Sequence, residues 1–155
     1  MVNNMGSINY KTSDYITIGY NLNNIDYDDE FYFDIIQDDY ESIKHLLKSY
    51  DFYFFHVTLE PGYYEGFSIN IEFNFNWCLN RWQDKKDAQK EITQLKQFLI
   101  ECINNYNCCA VAPGWCTAYY DYKESLKRLN QSIKEMRATV SNTPTYYKLK
   151  AAGEI

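Results

Sequence analysis

Lysine and arginine are absent from Thr12 to Ile43, the stretch that holds Asp14, Asp26, Asp28, Asp29, Glu30, Asp34, Asp38, Asp39 and Glu41. Sequence-independent binding to DNA or RNA depends on basic side chains displacing condensed counterions, so a surface of this kind repels phosphate. With a net charge of −6, the chain is not expected to bind nucleic acid directly. No apolar run approaches the roughly 18 to 20 residues of a membrane span. Met1 to Gly6 has neither the basic start nor the apolar middle of a signal peptide. The expectation is a cytoplasmic protein without membrane contact. Cysteines number five, an odd count, and in a reducing compartment they are not a disulfide framework. Glycine-rich phosphate loops of the G-x-x-x-x-G-K-[ST] or G-x-G-x-x-G type are missing. So are repeats and linkers rich in proline, glycine or serine, so that 155 residues are expected to form one globular domain, 1–155, with 141–155 as an extended tail.

What the chain does have is apolar and aromatic surface, 46% and 18% of its residues, which is enough to exclude wholesale disorder. Its charge is divided unevenly. Residues 1–80 hold 3 basic and 13 acidic side chains and residues 81–155 hold 12 and 8, so the halves sit near −10 and +4. Attraction between the acidic half and a basic protein surface follows from this layout.

Hydrophobic periodicity sets out the elements. Tyr15 to Leu22 alternates as a strand, and Phe31 to Ile36 reads as a short strand. Asp38 or Asp39 is suited to N-cap a helix running to about Tyr50, with Tyr40, Ile43, Leu47 and Tyr50 on its buried side. Phe52 to Leu59 is expected to be a central strand closed by a turn at Glu60-Pro61-Gly62. Phe67 to Trp77 alternates without a break, Phe67, Ile69, Ile71, Phe73, Phe75 and Trp77 against Ser68, Asn70, Glu72, Asn74 and Asn76, which predicts one core face and one wet face. Asp84 to Tyr106 carries helical spacing. Cys108 to Ala112 is a last strand before Pro113-Gly114. Tyr119, Tyr122, Leu126, Leu129, Ile133, Met136 and Val140 form a heptad seam on a third helix that ends at Ser141 to Pro144. The order predicts an α+β protein: an antiparallel sheet of four or five strands with helices on one face, in split βαββαβ (ferredoxin-like) order, plus a C-terminal helix packed across it or against a second copy.

Candidate chemistry is sparse. Asp26-x-Asp28-x-Glu30 resembles the start of an EF-hand loop, but the sixth position is Phe31 where glycine is needed and the twelfth is Gln37 where glutamate is needed. Cys102, Cys108, Cys109 and Cys116 form no C-x-x-C pair, and neighbours Cys108 and Cys109 on a strand point to opposite faces, so no zinc site is expected. His45 and His56 are the histidine bases available, His45 on a helix surface and His56 inside an apolar strand, and no nucleophile is paired with either by spacing. Neither a catalytic residue nor a cofactor is therefore assigned. An RNA-recognition sheet shares the βαββαβ order, but here the aromatics share the isoleucine face and the basic companions are missing.

A compact acidic chain rich in Tyr, Asn and Asp and without a catalytic motif resembles the small anti-defence proteins of phages and mobile elements, of the anti-CRISPR and antirestriction kind. The resemblance lies in composition and size over the whole chain. It implies a protein-binding inhibitor that presents an acidic, aromatic surface to a basic partner, such as a CRISPR or restriction nuclease, in the host cytoplasm. The contact residues expected are Asp26, Asp28, Asp29, Glu30, Asp34, Asp38 and Asp39, with Tyr27, Tyr32, Tyr63 and Tyr64 as aromatic anchors. Other readings stay open: a self-assembling structural or accessory phage protein, with a homodimer through the helix 119–140, or a small enzyme or ligand-binding protein whose site assembles only in three dimensions.

Overall fold

Strand β1, Tyr15–Tyr20, lies inside a four-stranded sheet because Ile16, Ile18 and Tyr20 are buried on one face while Thr17 and Gly19 are buried on the other. The computed structural model describes residues 15–26, 28, 30–61, 66–73, 85–113, 120–142 and 151–153. After β1 come α1 (Tyr32–Lys48), β2 (Phe55–Pro61), β3 (Phe67–Phe73), α2 (Lys85–Asn105), β4 (Cys108–Pro113) and α3 (Tyr122–Asn142). The sheet order is β2-β3-β1-β4, with antiparallel pairing throughout. Mixed α+β architecture with an antiparallel four-stranded sheet is thus established.

Register explains the core. Ile16 pairs with Ile71 and Ile18 with Ile69, and the same β1 residues face Pro113 and Val111 across the other edge. Val57 and Leu59 extend the row through Ile71 and Ile69. Ile36 and Ile43 of α1 join that row in one buried cluster, as do Ile92, Leu95, Phe98 and Leu99 of α2. The Tyr20 ring stacks on Phe67 at 4.3 Å between centroids, and Tyr40 of α1 meets Phe67 edge-on.

Helix α3 packs on α2 and β4, burying Leu129, Ile133, Met136 and Val140. Two polar contacts fix it antiparallel to α2. Gln89 donates to the Arg137 carbonyl at one end, and the Tyr122 hydroxyl donates to Asn104 Oδ1 at the other. Asp121 caps its start, accepting from the Glu124 N–H at 2.8 Å. Most of the heptad seam is therefore used within the chain; Tyr122 is exposed, Leu126 is half-buried, and Tyr119 lies outside the described residues.

Several sequence expectations need correction. Phe31 to Ile36 is not a strand: α1 begins at Tyr32, and Asp38 and Asp39 sit inside it rather than capping it. The reason is that Tyr32, Ile36, Tyr40, Ile43 and Leu47 continue one helical stripe, and burying that stripe outweighs the local strand preference of Phe-Tyr-Phe. Strand β2 starts at Phe55 rather than Phe52, runs through Pro61, and lies at the edge of the sheet beside β3 rather than at its centre, which leaves His56 and Glu60 exposed. The second sheet face is not simply wet, for Asn70 is only 8% exposed and accepts from the Thr17 hydroxyl at 3.1 Å. Asn74 to Trp77, Gly62, Gly114 and most of the expected tail lie outside the described residues.

Candidate functional site

The acidic segment is pinned at both ends by buried side chains. Ile25, which follows the 3-10 turn Leu22–Asn24, and Tyr32 at the start of α1 are both buried, and of the described residues between them Asp26, Asp28, Glu30 and Phe31 are exposed. Asp26 organises it: its carboxylate accepts from the Asp28 N–H at 2.9 Å, the i to i+2 bond of an Asx turn. Asp26, Asp28 and Glu30 are exposed, and Asp34 and Asp38 continue the acidic surface on α1. Asp34 falls in the first turn, where its charge meets the positive end of the helix dipole. Phe31 is 56% exposed and Phe33 is 61% exposed, so two phenylalanines stand among these carboxylates. Large aromatic rings presented to water next to charge are a feature of protein-recognition surfaces.

The sequence-predicted residues divide. Asp26, Asp28, Glu30, Asp34 and Asp38 share this exposed region. Asp39 turns inward, where its Oδ2 accepts from the Tyr20 hydroxyl at 2.6 Å and from the Asn107 amide at 2.9 Å. Tyr32, expected to be an anchor, is 7% exposed and belongs to the core. Tyr27, Asp29, Tyr63 and Tyr64 lie outside the described residues. Phe31 and Phe33 were missed because the segment reads locally as a strand. The signal that finds them is the stripe Tyr32, Ile36, Tyr40, Ile43, Leu47: carried back to its first member, it leaves 31 and 33 off the buried side.

The Tyr20–Asp39–Asn107 cluster ties β1, α1 and the α2–β4 connection together, with Asn107 also donating to the Tyr20 hydroxyl at 3.3 Å. Burial, and then the hydrogen bond to Asp39, push the Tyr20 phenol far above its ordinary value, which keeps it neutral. Glu91 on α2 is a second inward carboxylate. It accepts from the backbone N–H groups of Tyr53 and Phe54, the latter at 2.7 Å, and so holds the chain that leads into β2. Desolvation raises its pKa above the usual carboxyl value despite those two donors. Both clusters have structural work that accounts for them.

Metal and nucleophile chemistry finds little support in the cysteines. Cys102 and Cys108 are fully buried, and burial pushes the Cys102 thiol up to about 12 and Cys108 well above its ordinary value, so neither is the thiolate that a metal or an electrophile requires. The Cys109 sulfur accepts from the Asn24 amide, and Cys116 lies outside the described residues. His56 is exposed on β2, paired in register with Glu72. His45 lines a hollow of about 460 Å³ with Ser42 and Ser49. There the Ser49 hydroxyl donates to the Leu46 carbonyl and Glu41 accepts from Gln37, so these groups are not arranged as a nucleophile and its base. Among the described residues no group of three or more His, Cys, Asp or Glu could hold a metal ion, and no helix is long and apolar enough to cross a membrane. Comparison with protein-family models, curated proteins and solved structures finds no match to this chain.

Proposed function

We propose that this protein is a protein-binding inhibitor of the anti-defence type, which blocks a basic, nucleic-acid-binding partner such as a CRISPR or restriction nuclease in the host cytoplasm. The observation that carries the reading is the exposed residues before and within the start of α1, where Asp28, Glu30, Asp34 and Asp38 flank Phe33 in sequence. Carboxylates in a stretch of sequence without lysine or arginine steer toward a positive channel and raise the association rate, while a phenylalanine supplies the apolar anchor that charge alone does not. The succession strand, helix, strand, strand, helix, strand and the sheet order β2-β3-β1-β4 support a split βαββαβ, ferredoxin-like scaffold beneath that surface.

The test is phage plating on strains that each carry one CRISPR or restriction system. The parent chain is expected to restore plating against at least one system. A folded variant carrying Asp28→Asn, Glu30→Gln, Asp34→Asn, Asp38→Asn and Phe33→Ala is expected to lose that effect. Failure of the parent against every system, or equal protection by the variant, overturns the proposal.

A further inference from the structure

The acidic start of α1 has a chemical complement elsewhere in the chain. On the outward side of α3 a trough of about 710 Å³ has Tyr122 and Leu126 in its apolar lining and carries the ammonium groups of Lys123, Lys127 and Lys134. All three lysines are exposed, as are Glu30, Asp34 and Asp38. The ion pair seen among the described residues is instead Arg128 with Glu124, 3.2 Å apart on α3 itself. Helix α3 is held on α2 and β4 by its buried seam, which turns the lysine-bearing side away from the core.

We propose that this trough on α3 receives the start of α1 from a second copy of the chain. Charge is one reason, and spacing is the other. Asp34 and Asp38 stand four residues apart on one helix, as do Lys123 and Lys127 on the other, so both pairs are separated by about 6 Å along their axes. Two helices laid side by side can therefore match both carboxylates to both lysines. Each charged pair also has apolar neighbours in sequence: Phe33 precedes Asp34, while Tyr122 precedes Lys123 and Leu126 precedes Lys127. Phe33, 61% exposed, would be covered by the Tyr122 ring and the Leu126 side chain, a gain that charge pairing in water does not supply. In a two-fold pair the contact is made twice, α1 of each copy on α3 of the other, and both surfaces are used. This differs from a coiled coil through the seam of α3, whose Leu129, Ile133, Met136 and Val140 are already buried. It uses the same start of α1 as the inhibitor reading, so a host partner and a second copy would compete for that surface, but self-association itself needs no host protein.

Sedimentation equilibrium of the full chain tests it. The parent should associate at about 50 mM salt and weaken at least about tenfold by about 500 mM, as screening shortens. A variant with Lys123→Glu, Lys127→Glu and Lys134→Glu should be monomeric, as should one with Glu30→Lys, Asp34→Lys and Asp38→Lys. An equimolar mixture of the two should associate again, because each reversed surface then meets its reversed complement. Circular dichroism checks that each is folded. Should a reversed variant lose its helical signal, Lys123→Gln with Lys127→Gln and Lys134→Gln takes its place, and the expected result is association weakened at least about tenfold at low salt. A parent that stays monomeric at low salt, a folded variant that associates as the parent does, or a mixture of folded variants that stays monomeric overturns the proposal. Phage plating with the same lysine variants leaves the inhibitor reading to be judged separately.

Discussion

Replacing Glu91 should expose how much the start of β2 depends on one carboxylate of α2. The side chain is 4% exposed and accepts from the backbone N–H groups of Tyr53 and Phe54. In Glu91→Ala both donors lose this acceptor, and Phe54 is itself buried. An orphaned buried donor costs about 1 to 3 kcal/mol, so with the lost side-chain packing the variant should be about 3 kcal/mol less stable in a urea melt. Glu91→Gln keeps one oxygen but turns an NH₂ toward the second donor, and should cost about 1 to 2 kcal/mol. The pH dependence carries the sign of the shift. Because desolvation raises the folded-state pKa of Glu91 above its unfolded value, the folded state holds this proton more tightly. Its contribution is most favourable below the unfolded pKa, near 4.5, and declines as pH rises from there through the folded-state pKa. The gap between parent and Glu91→Gln should therefore be widest in acid and narrow toward neutrality. A gap that widens as pH rises would refute the desolvation argument, and Glu91→Ala costing under about 1 kcal/mol would refute the anchoring role.

Three further outcomes follow from the core. Ile71→Asp should cost at least about 3 kcal/mol, and Asn70→Asp about 2 kcal/mol, because both positions are buried; an Asn70→Asp penalty below about 0.5 kcal/mol would mean that this face is wet. Tyr20→Phe, which removes the hydroxyl between Asp39 and Asn107, should lower stability by about 1 to 2 kcal/mol, and in the parent Tyr20 should stay un-ionised while exposed tyrosines titrate in alkali. Phenolate absorbance is the check: while folded, the parent and Tyr20→Phe should gain the same amount at alkaline pH, and a larger gain in the parent is the contrary result. Cys102 and Cys108 should resist alkylation at about pH 8 until denaturant is added, as mapped by mass spectrometry; rapid native labelling would show that they are reachable thiolates.

The sheet and the two later helices were legible because their periodicity is uninterrupted: Phe67 to Phe73 alternates, and Ile92, Leu95, Leu99 and Cys102 step at helical intervals. Helix α1 was half legible. Its first turn, Tyr32 to Ile35, is rich in residues that favour strands, and only the burial of Tyr32 together with Ile36 shows the helix reaching back. Polar partners in space were not legible at all. Asp39 looks like its neighbour Asp38 in sequence, yet one meets Tyr20 and Asn107 while the other is exposed, a difference set by which side of α1 each occupies. Asn70 misled for the same reason, since alternation identifies the face but not what covers it.

The central claim, that the start of α1 binds where nucleic acid binds, is tested most directly by competition. Labelled target DNA is bound to a nuclease whose system the chain relieves in plating, and its anisotropy is followed as the chain is added. The parent is expected to displace the DNA, with an association rate that falls as salt rises. The folded variant lacking the charges of Asp28, Glu30, Asp34 and Asp38 is expected to need at least about tenfold more protein. Displacement by the variant at the parent's concentration, or DNA that stays bound while the parent inhibits, would contradict the account.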